Sequence, residues 1–405
     1  VAAARRADVS WRLDGPPAPA GSTLARRALL AALASPRRER RFVSAEQAAR
    51  AFDAALAPAA TASAPWPLFR GEPGRSGSLA AASPASLASL WEVSTGSVVG
   101  SPLLTSELAI VPSADGRLVF LDAASGRFIH ELKLASAIES SPALVGDLVV
   151  VGSDDGECVA VDLERGEPSF RAKLGQVVRS SPLPAGDRIV VGVVEAKGGG
   201  GLVALDTKGK SVWRAKLGGV FSSPALAGHL VLVGSDEGSL HAVDADKGTL
   251  AWSHSLGAKV RATPAVAGEL AVVGDFTGKL VAVKSADGSR VWAAELGSAL
   301  YSSAAVTAEL AVVGSNDGTI HGVDLGTGAI RFQVATRGPV VASPVALGDR
   351  FVVGSTDGDL YVIDAAGKLV QQLTLAQAGV ASSAAAAPGL LVVGSARGVH
   401  GVRLS

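Results

Sequence analysis

Over the last three quarters of the chain, apolar residues come in runs of a few positions, cut by clusters of Gly, Asp and Ser. In residues 140–174, Pro142-Ala143-Leu144 ends at Gly146-Asp147, and Leu148 to Val151 ends at Gly152-Ser153-Asp154-Asp155-Gly156. Cys158 to Val161 is closed by Asp162-Leu163-Glu164-Arg165-Gly166, and Ser169 to Leu174 alternates apolar with polar residues. Short β-rich runs divided by turn residues predict four antiparallel strands joined by hairpins. Glycine supplies the positive φ such turns need, and aspartate bonds nearby backbone.

The pattern repeats. A Ser-Ser-Pro tripeptide, with small changes, ends at Pro102, Pro142, Pro182, Pro224, Pro264, Ala304, Pro344 and Ala384, a period of 40 residues except for 42 between Pro182 and Pro224. Four strands per 40-residue unit make the blade of a β-propeller, and eight copies predict an all-β, eight-bladed β-propeller of four-stranded antiparallel blades. Neighbouring blades cover both faces of each sheet, which accounts for a hydrophobic content of 48% without a membrane-spanning run. The last copy stops at Ser405 without an outer strand, while Leu90-Trp91-Glu92-Val93 reads as an outer strand with no blade. Strand 90–93 is therefore expected to complete the eighth blade, closing the ring and removing its free edges. The domains expected are a short α-helical N-terminal extension (1–57), a linker and lead-in (58–87) and the propeller (88–405).

Ala242-x-Asp244-x-x-x-Gly248-x-x-x-Trp252 resembles the tryptophan-docking repeat of quinoprotein-type (PQQ-like) propellers, with related copies at Ala160/Asp162/Gly166/Phe170 and Gly322/Asp324/Gly328/Phe332. Trp213 and Trp292 hold the same place in altered copies, Trp91 stands in the orphan strand, and His130 and Gln371 depart from the pattern. Trp66-Pro67-Leu68-Phe69-Arg70-Gly71 with Arg75-Ser76-Gly77 resembles the lead-in that precedes such repeats. The likeness runs over 66–405 and includes the eight-bladed BamB-type outer-membrane assembly lipoproteins. It implies that Trp91, Phe170, Trp213, Trp252, Trp292 and Phe332 are structural, locking one blade to the next.

Residues 1–65 differ in kind. Ser22-Thr23 precedes an expected helix from Leu24 to Ala34, and the capping box Ser44-Ala45-Glu46-Gln47 starts a second one running to Leu56. Two such helices have too little surface to form a core alone. With Pro36 and Arg41-Phe42 they resemble the last two helices of bacterial serine/threonine kinase domains. No glycine-rich loop with a strand lysine, no His-Arg-Asp and no Asp-Phe-Gly is present, so phosphoryl transfer is not expected of these residues. The chain has no methionine, not even at position 1, and is read as processed or a fragment.

Thirty-seven basic residues balance 37 acidic ones, with no Lys/Arg run in the propeller, so no extended nucleic-acid surface is expected. Cys158 is the only cysteine, which excludes an intrachain disulfide and the adjacent cysteines of many quinone-dependent dehydrogenases. Asp244-x-Asp246-x-Gly248 is read as a turn, because a calcium loop needs more oxygen ligands over a longer span. No metal site and no cofactor, PQQ included, is expected.

The residue before each Ser-Ser-Pro varies from copy to copy: Val99, Glu139, Arg179, Phe221, Arg261, Tyr301, Val341 and Ala381. Shared positions build the scaffold of a repeat protein, and varying ones are open to make a site. Glu139, Arg179, Phe221, Arg261 and Tyr301 are the candidate binding residues, expected on the innermost strands beside the channel. The insertion Val193 to Gly201, rich in glycine, is expected to be a loop lengthening, or else a mobile flap over a partner. The function expected is that of a non-catalytic scaffold, a monomer that binds a protein or peptide and possesses room for a small ligand. It would be the sensory or docking part of a larger protein, cytoplasmic if kinase-fused, or a BamB-like periplasmic assembly factor. A quinone-dependent dehydrogenase is the remaining alternative.

Overall fold

The structure is a computed structural model that describes residues 66–79, 83–376 and 379–405. The helical extension and its kinase likeness lie outside the described residues. The repeats fold as eight four-stranded antiparallel sheets, or blades, spanning 103–133, 143–173, 183–216, 225–255, 265–295, 305–335, 345–374 and 385–404. In blade 2 the order from the channel outward is Ala143–Val145, Leu148–Gly152, Glu157–Asp162 and Glu167–Lys173. Strand Leu87–Val93 supplies the outer edge of blade 8, antiparallel to Val399–Leu404 with Val93 opposite Val399. It starts three residues earlier than the 90–93 expected from sequence.

The core lies between blades. Ile110 and Phe120 of blade 1 pack with Val149, Val151 and Val159 of blade 2, all within 1% of full burial. Such two-sided burial is why the middle strands are nearly continuous Val, Leu and Ala.

Two kinds of polar and aromatic lock join neighbouring blades. On the outside, Trp213 Nε1 of blade 3 donates to Ala245 O at 2.9 Å, Trp252 of blade 4 to Ser285 O at 3.1 Å, and Trp292 of blade 5 to Leu325 O at 2.7 Å. Trp91 of blade 8 donates to Ala123 O at 3.1 Å, across the ring closure. The glycine of the motif belongs to the interface and not to its own tryptophan: a Cβ on Gly248 would lie 2.6 Å from the Trp213 ring of the preceding blade. Phe170 and Phe332 lie over Gly209 and Gly367 in the same way, without a polar hydrogen to donate. Gln371, a departure from the pattern, reaches blade 8 by accepting the Leu87 N–H at 2.7 Å and donating to Leu87 O at 2.8 Å.

On the inside, the two hydroxyls of Ser-Ser-Pro divide the work. The first accepts an N–H within its own blade, as Ser140 does from Gly152 at 2.8 Å and Ser180 from Gly192 at 2.9 Å. The second accepts the N–H of its counterpart in the preceding blade: Ser141 from Ser101, Ser181 from Ser141, Ser223 from Ser181, and on to Ser383 from Ser343, at 2.8–3.2 Å.

The insertion in blade 3 is an ordered hairpin extension and no flap. Strand Arg188–Val194 turns through Ala196–Gly198 into Gly200–Leu205, with Val193 opposite Gly201. Gly200 and Gly201 have φ of 137° and 148°, and a Cβ on either would fall within 2.1 Å of a neighbouring carbonyl oxygen.

The lead-in does more than precede the repeats. Residues 66–79 enter the channel and close it from one end. Leu144 and Leu226 donate their N–H groups to Pro67 O and Pro73 O at 2.7 Å, while Val266 and Val306 bond Gly74 O and Ser76 O. Trp66 bridges Leu104, and Ser78–Leu79 adds a parallel strand to Val345–Leu347. Arg70 and Arg75 are buried to 2% and 0% exposure. Arg75 donates to Pro224 O (3.0 Å), Phe69 O (2.8 Å), Ser181 O (3.1 Å) and Pro182 O (2.8 Å). Arg70 reaches the opposite side of the channel, donating to Ala304 O (2.6 Å) and Pro344 O (3.3 Å). The plug thus uses the carbonyls of the Ser-Ser-Pro motifs themselves.

Candidate functional site

With one end plugged, the channel becomes a blind cavity of about 180 Å³. Two layers of eight line it. The deeper layer is the ring of second hydroxyls, from Ser101 to Ser383, and Phe69 of the plug lies at its base. The upper layer is the ring of varying residues, Val99 to Ala381. The five candidates Glu139, Arg179, Phe221, Arg261 and Tyr301 therefore stand together, on consecutive blades, around one side of the mouth. They lie in the loop segments that lead into the innermost strands, each four residues before the strand begins, and not in the strands as expected. Blades 7, 8 and 1 present only Val341, Ala381 and Val99, so the mouth has a charged and aromatic arc facing a small apolar one.

Three of the five arc residues, Arg179, Arg261 and Tyr301, meet a partner from the turn after the second strand of the preceding blade. Arg179 forms a bidentate pair with Asp154 (Nε–Oδ1 2.9 Å, Nη2–Oδ2 2.7 Å) and also reaches Glu139 at 3.1 Å. Arg261 grips Asp236 in the same fork, at 2.8 and 2.7 Å. The third such pair is aromatic: Tyr301 and Phe276 have ring centroids 4.4 Å apart. All three pairs share one 25-residue offset (179−154, 261−236, 301−276). The rings continue onto Arg261, whose guanidinium lies 4.1 Å from the Phe221 centroid and 5.5 Å from that of Phe276. A planar cation between aromatic faces is favoured by the ring quadrupoles.

The arc is held firmly charged on its cationic side. Hydrogen bonding to Asp154 raises the Arg179 pKa, and hydrogen bonding to Asp236 raises that of Arg261. Burial raises the Glu139 pKa, with the Arg179 charge opposing it. The side chains of Arg179 and Arg261 stay 42% and 32% exposed, so these are surface pairs worth about 0.2–1 kcal/mol each. Asp154, Asp236, Phe276 and Phe69 escaped the sequence reading, although the 25-residue offset would have found the first three.

Chemistry outside the mouth is muted. Among the described residues no three His, Cys, Asp or Glu side chains converge as a metal site. Cys158 is buried and burial pushes its thiol up to about 12, far from a reactive thiolate. His241 is spent between Ser235 (3.0 Å) and Ser253 (2.7 Å), its pKa lowered by burial. Asp244 Oδ1 accepts the N–H groups of Asp246 and Lys247 at 3.1 and 2.9 Å, an Asx turn. The cavity is smaller than the ~300–1,000 Å³ usual for drug-sized ligands, and the carboxylates at the mouth, Glu139, Asp154 and Asp236, pair with Arg179 and Arg261. Among the described residues no helix is long and apolar enough to cross a membrane.

Comparisons with known proteins extend this picture. Residues 94–398 match a family model described as "Beta-alanine-activating enzyme, beta-propeller". The structure is similar to that of BamB from Moraxella catarrhalis, 19% identical with a TM-score of 0.67, covering 79% of this chain and 100% of that one. It is similar to quinohemoprotein alcohol dehydrogenase from Comamonas testosteroni, 14% identical with a TM-score of 0.73, covering 95% of this chain and 84% of that one. A computationally designed protein, Ika8, is 17% identical with a TM-score of 0.69, covering 78% of this chain and 99% of that one. At such identities the likeness is one of fold, which BamB, an alcohol dehydrogenase and a designed protein share. No curated protein sequence matches the chain.

Proposed function

The chain belongs to the propeller family described as that of the beta-alanine-activating enzyme, and from that membership we propose that it is a non-catalytic docking module whose blind channel mouth binds a protein or peptide. The family description attaches a propeller to an enzyme, and the residues matched are the propeller alone. This favours a docking or sensory part of a larger protein. One observation carries the reading: the positions that break the repeat gather on consecutive blades into a charged and aromatic arc at the open mouth, while the positions that keep it build the ring. Aromatic and arginine side chains around a pocket are the usual anchors of protein recognition. No cofactor enters the proposal, and the module is taken as a monomer.

The superposition on BamB, over all of that chain and 79% of this one, favours a second reading, a periplasmic assembly factor of the kind the sequence resemblance implies. It uses the same mouth.

Panning a random heptapeptide library against the chain tests the reading. Enriched peptides are expected to lose at least about tenfold in affinity for Arg179→Ala/Arg261→Ala. The thermal midpoint should move by only a few degrees, because the lost ion pairs are partly exposed. Peptides that bind wild type and variant equally would place the docking surface elsewhere on the propeller.

A further inference from the structure

Below the arc, the geometry points to a separate binding element: we propose that the ring of second hydroxyls is a cup for an oxyanion, taking a carboxylate or phosphate group on the channel axis. It lies in the same cavity as the proposed docking site but does not depend on the partner being a peptide.

The ring is a set of unspent donors. Each hydroxyl from Ser141 to Ser383 accepts one N–H from the preceding blade, which fixes the oxygen and uses a lone pair. Among the described residues none of these seven hydroxyls donates to a protein acceptor, so their O–H hydrogens remain to be satisfied. Their residues are 3–8% exposed, and all seven, with Ser101, line the same cavity. Buried hydroxyls that converge on one space call for a common acceptor.

The charge behind the ring selects the sign. Arg70 and Arg75 lie in the plug, and Arg75 donates to the backbone oxygen of Ser181, whose side chain is part of the cup. Their guanidinium groups bond only carbonyl oxygens in this structure, and among the described residues no carboxylate lies within ion-pair distance of either. Glu72 acts on them only at longer range, its oxygens accepting the N–H groups of Gly74 and Ser76. Burial lowers both arginine pKa values to about 9, which leaves both charged at neutral pH. Two buried cations beneath a ring of hydrogen-bond donors repel a metal ion and attract an anion. Threonine at position 263 shows that the ring accepts a β-methyl while keeping its hydroxyl.

Sodium acetate and sodium phosphate, titrated against sodium chloride of equal ionic strength, are the probes. Isothermal titration should show saturable binding of at least one, and the preferred anion identifies which oxyanion the cup takes. Ser303→Ala/Ser343→Ala should weaken binding about tenfold or more, equivalent to ~1.4 kcal/mol, whereas Ser303→Thr/Ser343→Thr should bind within about threefold of wild type, as expected when the donors are kept. Should the alanine variant fail to fold, the wild-type titration and the threonine variant still decide. Heat effects no larger than those of chloride, or alanine and wild-type proteins that bind alike, would overturn the cup. Anion binding without enriched peptides would leave the cup standing and remove the docking reading; the reverse result would do the opposite.

Discussion

At the scale of single residues, the glycines separate two effects that sequence alone confounds. Gly146 has φ of 58° with open space where a Cβ would lie, while Gly248 has φ of 69° with the Trp213 ring 2.6 Å from that position. Alanine at either position meets the left-handed backbone penalty of about 1–2 kcal/mol. At Gly248 it must also displace an indole that is buried and hydrogen-bonded, adding about 1–3 kcal/mol of overpacking. Urea unfolding should therefore show Gly248→Ala clearly less stable than Gly146→Ala. Equal losses would mean that the indole moves aside at no cost and that docking contributes little.

At the scale of elements, the plug behaves as a ninth structural unit, although it carries no repeat. Arg75 satisfies four carbonyls, three in the motifs of blades 3 and 4 and one, Phe69 O, in the plug itself, and each buried carbonyl left without a donor costs about 1–3 kcal/mol. Arg75→Met should thus free the segment 66–79 while the blades persist. Trypsin followed by mass spectrometry is the readout: wild type is expected to resist cleavage at Arg70, and the variant to be cut there. Resistance in both would show that the backbone bonds of the plug suffice. The repeat made the blades legible, because a 40-residue period with four apolar runs admits few other folds. It hid the plug for the same reason. Trp66 to Gly77 matches nothing else in the chain, and a buried arginine reads in sequence like a solvated one. The mouth was half legible: Arg179 and Arg261 stand out by breaking the Ser-Ser-Pro context, whereas Asp154 and Asp236 sit in Gly/Asp-rich turns where aspartate is already expected.

At the scale of the whole molecule, the ring is closed by Leu87–Val93 and by Trp91, whose indole spans from Gly401 of its own blade to Gly126 and Ala123 of blade 1. Trp91→Ala should cost up to about 3 kcal/mol, the lower end of the range for buried aromatic deletions, because its ring is only partly buried. The loss should be local. Hydrogen exchange is expected to quicken in Val399–Leu404 while blade 4 keeps its protection, since repeat units are coupled chiefly to their neighbours. Uniform quickening would mean that the ring opens as one body. The plug adds a constraint of another sort. Repeat proteins evolve by gaining and losing copies, and locks that recur from one blade to the next do not by themselves oppose a ninth. The two arginines do. They span the hub from Ser181, Pro182 and Pro224 on one side to Ala304 and Pro344 on the other, with side chains of fixed reach. A wider or narrower hub would strand both cations without acceptors, so the chain carries its own gauge, one that counts to eight.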